Sequence, residues 1–243
     1  MASVSAEAIL QVADLHGNGQ AKPSLVHGTA DRPFSGKQCV IYAVQYPDGT
    51  TCAVRVPIHI QTLPHDAITN QTEQEVSILK FLEECGFIWS PRLLAYDSGF
   101  DNPLRYPYMI LSWVDGKPLQ WTDSVPAIRA SREKVLQQMA TIFFELVSRT
   151  EEPNAGVTAD GFFTDLIGRK ILRVNSGQLR EISLQDCLNL QILGRKIAGK
   201  APEITSFAIS HDDLAPHNII VDDEFNIKGS TGALQDVYLF NLP

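Results

Sequence analysis

Ser210-His211-Asp212-Asp213-Leu214-Ala215-Pro216-His217-Asn218, followed at once by Ile219-Ile220-Val221, is the stretch on which the reading of this chain turns. It sets three polar residues, His211, Asp213 and Asn218, in the pattern H-x-D-x-x-x-x-N. Asp and Asn favour turns because their side chains bond nearby backbone amides, so the plainest reading is a capped turn that starts a strand. The surroundings add to this. Ile204 to Ile209 carries β-branched and aromatic residues and reads as a short buried strand. Beyond the loop, Asn218 to Val221 and Phe225 to Lys228 read as two short strands around Asp222, Asp223 and Glu224, a tight hairpin.

A loop of four residues between Asp213 and Asn218 lets both side chains face one pocket. There a carboxylate can accept the proton of an attacking hydroxyl, while an amide oxygen reaches a magnesium ion bridging nucleotide phosphates. That is the chemistry this spacing serves in phosphoryl-transfer loops of the kinase type.

The 243 residues, 44% apolar and 20% charged, are enough for a sizeable core in one domain or two lobes. A net charge of −8 gives no overall attraction to nucleic acid or anionic lipid. The basic residues Arg169, Lys170, Arg173 and Arg180 lack interleaved aromatics and read as a solvated helix face. Cys39, Cys52, Cys85 and Cys187 are scattered, with no C-x-x-C pair, which points away from zinc or a disulfide scaffold and toward a reducing compartment. No apolar run approaches the ~18 residues that span a membrane. Met1 to Ala13 lacks the basic start and long apolar stretch of a secretory signal, so the expected location is the cytoplasm.

From the amino end, Ser5 to Leu15 reads as an amphipathic helix and Gly17 to Pro33 as a loop or lead-in. Val40, Tyr42, Val44 and Tyr46 alternate with other residues, Pro47-Asp48-Gly49 marks a turn, and Cys52 to Val56 answers as a second strand. Thr72 to Glu84 has a helical apolar stripe; Pro91 to Tyr96 and Tyr108 to Val114 read as strands, the latter ending at Asp115-Gly116. Pro126 to Arg149 is the clearest helix, with Pro126 placed in its first turn. Asp160 to Lys200 is mostly helical, with a break near Asn175-Ser176-Gly177. A β-rich part precedes a helical part that holds the loop.

These residues resemble the aminoglycoside phosphotransferase-like family, relatives of choline kinase and more distantly of protein kinases. The likeness is nearest to fungal members, through His211-Asp212-Asp213-Leu214-Ala215-Pro216-His217-Asn218-Ile219-Ile220-Val221-Asp222. It covers roughly residues 34–229. The resemblance implies an α+β, protein kinase-like two-lobed fold: a lead-in over 1–33, a nucleotide-covering β-rich lobe over 34–116, a helical lobe over 117–229 and an atypical tail over 230–243. It implies an ATP-dependent phosphotransferase acting on a small-molecule hydroxyl, with Asp213 as base, His211 holding the loop and Asn218 as magnesium ligand. Ala53-Val54-Arg55-Val56-Pro57 is similar to the strand carrying the phosphate-contacting cation, here Arg55, and Glu75 to the helix glutamate that pairs with it. Tyr108 to Gly116 is similar to the strand and hinge beneath adenine, with Ser112 and Trp113 contacting the base through their backbone. Phe34-Ser35-Gly36-Lys37 stands where a phosphate-covering loop belongs. Each has a structural reading beside it: Arg55 as an exposed strand residue, Glu75 as a solvated helix residue, Lys37 as an exposed lysine.

The chain departs from the family pattern after the hairpin. A second metal-binding aspartate is implied two to four residues past Gly229, and the sequence there reads Ser230-Thr231-Gly232-Ala233-Leu234-Gln235-Asp236. The resemblance therefore also implies a fold incomplete at its C-terminus, with uncovered apolar faces on 127–146 and 184–197. Asn218 alone holds magnesium poorly, since that ion is fixed by carboxylates together with phosphates. The rival expectation is a catalytically inactive kinase-fold protein that binds a nucleotide or a partner.

Overall fold

The computed structural model describes residues 4–17, 22–26, 33–35, 39–57, 64–153, 159–175, 177, 182–198, 206–209 and 215–231. Helix α1, Ala6–Leu15, starts where the sequence places it: the Ser5 hydroxyl accepts the Ala8 N–H at 3.1 Å, an N-cap that satisfies an otherwise orphaned donor. The short strands β1 (Ser24–Leu25) and β2 (Phe34–Ser35) lie end to end along β3 (Cys39–Gln45). Strand β3 forms a hairpin with β4 (Thr51–Pro57), in register from Cys39 opposite Pro57 to Gln45 opposite Thr51. Gly49 takes the left-handed conformation at its turn, φ +85°, and Asp48 accepts the Thr50 N–H at 2.8 Å. After helix α2 (His65–Glu84) come β5 (Leu93–Asp97) and β6 (Tyr108–Ser112), completing a sheet of order β1-β3-β4-β6-β5 with all pairs antiparallel.

Side-chain alternation gives this sheet two different faces. On one, Tyr42, Val44, Cys52, Val54, Val56, Tyr108 and Ile110 form a core with Ile9, Val12 and Ala13 of α1. Those three α1 residues are wholly buried, and Tyr46 donates its hydroxyl to the Ala13 carbonyl at 3.0 Å. Burying Ile9 and Val12 is worth about 2 kcal/mol apiece. The other face carries Ala53, Arg55, Met109 and Leu111, the side to which α2 contributes Glu75.

A second sheet joins β7 (Lys117–Pro118), β10 (Ile219–Val221) and β11 (Ile227–Ser230) in the order β11-β10-β7. Gly116 admits it: with φ +137°, a Cβ there would sit 2.6 Å from the Val221 carbonyl oxygen. Leu119, Val135, Ile219, Val221 and Ile227 form the core beneath, against helix α3 (Arg129–Thr150). Gln138 of α3 donates to the Phe225 carbonyl and accepts the Ile227 N–H, both at 3.0 Å, so the hairpin is pinned to the helix.

Several boundaries differ from the sequence reading, those at Pro126 and Phe225 for reasons the contacts supply. Pro126 lies ahead of α3, which begins at Arg129; the Arg132 guanidinium gathers the carbonyls of Thr122, Val125 and Pro126 instead. Phe225 belongs to the turn and not to a strand. Its φ is +60°, and Asp222 builds that turn by accepting the N–H groups of Glu224 and Asn226.

The described residues divide into two compact units, 4–145 with 215–231, and 146–209. The second holds the end of α3, strands β8 (Glu152–Pro153) and β9 (Ser206–Phe207), and helices α4 (Ala159–Asn175) and α5 (Leu184–Ala198). Leu184, Leu188 and Ile192 stand exposed on α5, as do Leu136 and Phe144 on α3. Among the described residues no helix is long and apolar enough to cross a membrane.

Candidate functional site

Arg55 and Glu75 meet. The guanidinium, carried by β4 on the sheet face opposite α1, forms an ion pair and hydrogen bond with the Glu75 carboxylate of α2. Both side chains are largely buried, 12% and 17% exposed, so neither is a solvated surface residue. Burial alone would drive the Arg55 pKa down; the Glu75 charge, with the Cys39 thiol beside it, outweighs that and holds it above its ordinary value. The result is a fixed cation on a rigid strand, oriented by a helix. That is a geometry suited to phosphate oxygens, since guanidinium presents a planar fork of donors.

Phe34 ends the lead into residues 36–38, and its ring lies 5.9 Å from that of Trp113. Gly36 and Lys37 lie outside the described residues. Ser112 is committed elsewhere. Its N–H donates to the Arg92 carbonyl and its hydroxyl accepts the Arg92 N–H, each at 2.9 Å, which ties β6 to the entry of β5. A cleft of about 510 Å³ runs along residues 112–115 beside Phe87, Ile88, Pro91, Arg92 and Lys228. Arg55, Glu75 and Asn218 do not line it, whereas the hinge candidates Ser112 and Trp113 do.

His211 and Asp213 lie outside the described residues. Asn218 ends a 3₁₀ turn, Pro216–Asn218, directly before β10. Its backbone is gripped from both sides: its N–H donates to Ala215 at 2.9 Å, and its carbonyl accepts the Thr231 N–H at 2.7 Å. The strand end beside Asn218 thus delivers Thr231. Of the three positions where the family pattern implies a second carboxylate, Thr231 is the described one; Gly232 and Ala233 fall outside. Among the described residues no three His, Cys, Asp or Glu side chains converge on a metal position. Asn218 offers a magnesium ion one neutral oxygen, and Thr231 beside it is hydroxyl-bearing where the family pattern implies a carboxylate.

Three contributors escaped the sequence reading. Cys39 sits by Arg55 because the hairpin register sets Ile41 opposite Arg55, which makes Cys39 a diagonal neighbour on the same face. That relation is computable from the Pro47-Asp48-Gly49 turn. Trp89 donates to Glu145 at 2.9 Å and accepts the Ser230 N–H at 2.8 Å, fixing the end of β11; nothing in its local sequence signals this. Thr231 was visible only as a missing aspartate.

No family model matches the chain. A protein of Clavispora lusitaniae called altered inheritance of mitochondria protein 9, mitochondrial, is 30% identical over 102 residues, covering 41% of this chain and 16% of that protein. Among solved structures, a Ralstonia eutropha protein assigned to the aminoglycoside phosphotransferases superposes with TM-score 0.59 at 17% identity over 93% of this chain. The macrolide 2'-phosphotransferase MphH of Brachybacterium faecium gives 0.52 at 16% over 95%, and an ethanolamine kinase of Plasmodium vivax 0.53 at 13% over 94%. The chain spans 63%, 73% and 59% of those three structures. The fold is the protein kinase-like fold of the aminoglycoside and macrolide phosphotransferases, as the loop motif and the order of strands and helices implied.

Proposed function

We propose that this chain is an ATP-dependent phosphotransferase of the aminoglycoside phosphotransferase-like kind, acting on a small-molecule hydroxyl. The observation that carries the reading is the buried Arg55–Glu75 pair, a cation held by a helix carboxylate on the sheet face away from α1. In this reading Arg55 receives the triphosphate and Gly36 and Lys37 cover it. The segment ending at Trp113 borders the adenine, and Asp213 takes the proton of the acceptor hydroxyl as His211 holds the loop. The partner is a small hydroxyl compound, with nucleic acid and membrane excluded from the reading. The four free thiols support a reducing compartment, and the cytoplasm is our assignment.

An Asp213→Ala variant should lose ATP-dependent transfer to hydroxyl acceptors while keeping the thermal shift produced by ATP. Undiminished turnover in that variant refutes the assigned base. Thr231 beside Asn218 favours a second reading, a kinase-fold protein that binds nucleotide without transferring phosphate. Stabilisation of the wild-type chain by ATP, with no phosphate moved to any hydroxyl in a panel of amino sugars, macrolides and amino alcohols, would select that second reading.

A further inference from the structure

Thr150, the last residue of α3, is 3% exposed, one of two buried polar side chains among the described residues. The other, Thr72, returns its hydroxyl to the Ile68 carbonyl one turn back at 3.0 Å. Thr150 makes the same bond, donating to Leu146 at 2.7 Å, and makes a second one: its oxygen accepts the Ile209 N–H at 2.9 Å.

The second bond is where a sheet would continue. Strands β8 and β9 pair Glu152 with Phe207 and Pro153 with Ser206. Extending that register by two residues sets Thr150 opposite Ile209, but Thr150 is still helical and its backbone cannot serve the ladder. Its side-chain oxygen takes the place of a strand acceptor for a buried N–H that would otherwise be orphaned. Donation to Leu146 fixes the hydroxyl proton, so the lone pair facing Ile209 is held in one direction. Ile209 is two residues ahead of His211 and four ahead of Asp213.

We infer that Thr150 is a positioning residue for the catalytic loop, fixing through its hydroxyl the strand that feeds Asp213. This rests on the phosphotransferase reading for its effect on rate, and on geometry for its hold on Ile209. Thr150→Val keeps the shape and removes the acceptor; Thr150→Ser keeps the acceptor.

The test compares wild type and both variants in two ways. Amide hydrogen exchange should show faster exchange of the Ile209 N–H and of the residues following it in Thr150→Val, with protection retained in Thr150→Ser. Steady-state kinetics should show kcat lowered about tenfold or more in Thr150→Val, KM for ATP within about twofold of wild type, and recovery of kcat in Thr150→Ser. Wild-type exchange and kcat in the valine variant would overturn the inference, as would a serine variant as impaired as the valine one. If the wild-type chain transfers no phosphate, the phosphotransferase reading fails by itself. The exchange measurement then decides alone whether Thr150 fixes Ile209 and the residues that follow it.

Discussion

Glu75 is the side chain on which the candidate site is most exposed to a single change. Arg55 is buried and charged, and its partner is what makes that burial tolerable. A Glu75→Ala variant should lose about 3 kcal/mol of stability in urea unfolding, because it strands an uncompensated guanidinium. It should also weaken ATP binding ~10-fold or more by releasing the orientation of Arg55. Unchanged unfolding and unchanged affinity would show the pair to be incidental. The sequence made Arg55 and Glu75 candidates, each with a solvated alternative; only pairing across 20 positions, through a strand and a helix, removes that alternative. Cys39 was legible in principle from the hairpin register. Thr150 was not, because the hydrogen bond that distinguishes it comes from Ile209, 59 positions away.

Among the elements, the β10–β11 hairpin carries its own acid sensitivity. Hydrogen bonds from the Asn226 side chain and backbone hold the Asp222 carboxyl down at about 2, with the Glu224 N–H and Lys228 adding to them. A carboxylate whose folded pKa is depressed stabilises above its unfolded value, near 4, and that contribution disappears as pH falls through 2. Thermal unfolding followed from pH 5 to pH 2 should therefore fall more steeply for the wild-type chain than for Asp222→Asn; parallel curves would deny the linkage. The sequence located this hairpin but counted Phe225 among its strands. An apolar residue at a left-handed backbone position is rare, and strand propensity carries no trace of it. Helix α2 shows a related limit. It begins at His65, where Ile68 and Thr72 are buried, although polar Asn70 and Gln71 obscure the apolar stripe there.

For the whole molecule, each unit leaves apolar helix residues uncovered, Leu136 and Phe144 on α3 among them in the first. Strands and α1 enclose the core of the first, whereas α5 in the second leaves Leu184, Leu188 and Ile192 exposed one turn apart. A continuous apolar stripe of that kind favours association. Replacing Leu188 and Ile192 together by lysine should lower the apparent mass seen by light scattering as concentration rises; identical scattering would mean that the stripe drives nothing. The sequence anticipated these apolar faces and the order of β-rich and helical parts, because hydrophobic periodicity is a local property. It could not anticipate that the described chain would part within α3, after Glu145, since that depends on which distant segments return to each side.

The seating of α1 constrains how the chain can be made. Ten residues are too few for a helix to persist alone in water. Its docking surface comes from β3 and β4 and from Tyr108, whose hydroxyl lies 3.0 Å from His16. During synthesis the residues of α1 must wait, unfolded and apolar, until those of β3, β4 and Tyr108, some hundred positions further on, have emerged. Chaperone demand from this helix therefore falls in the interval between its own synthesis and that of Tyr108.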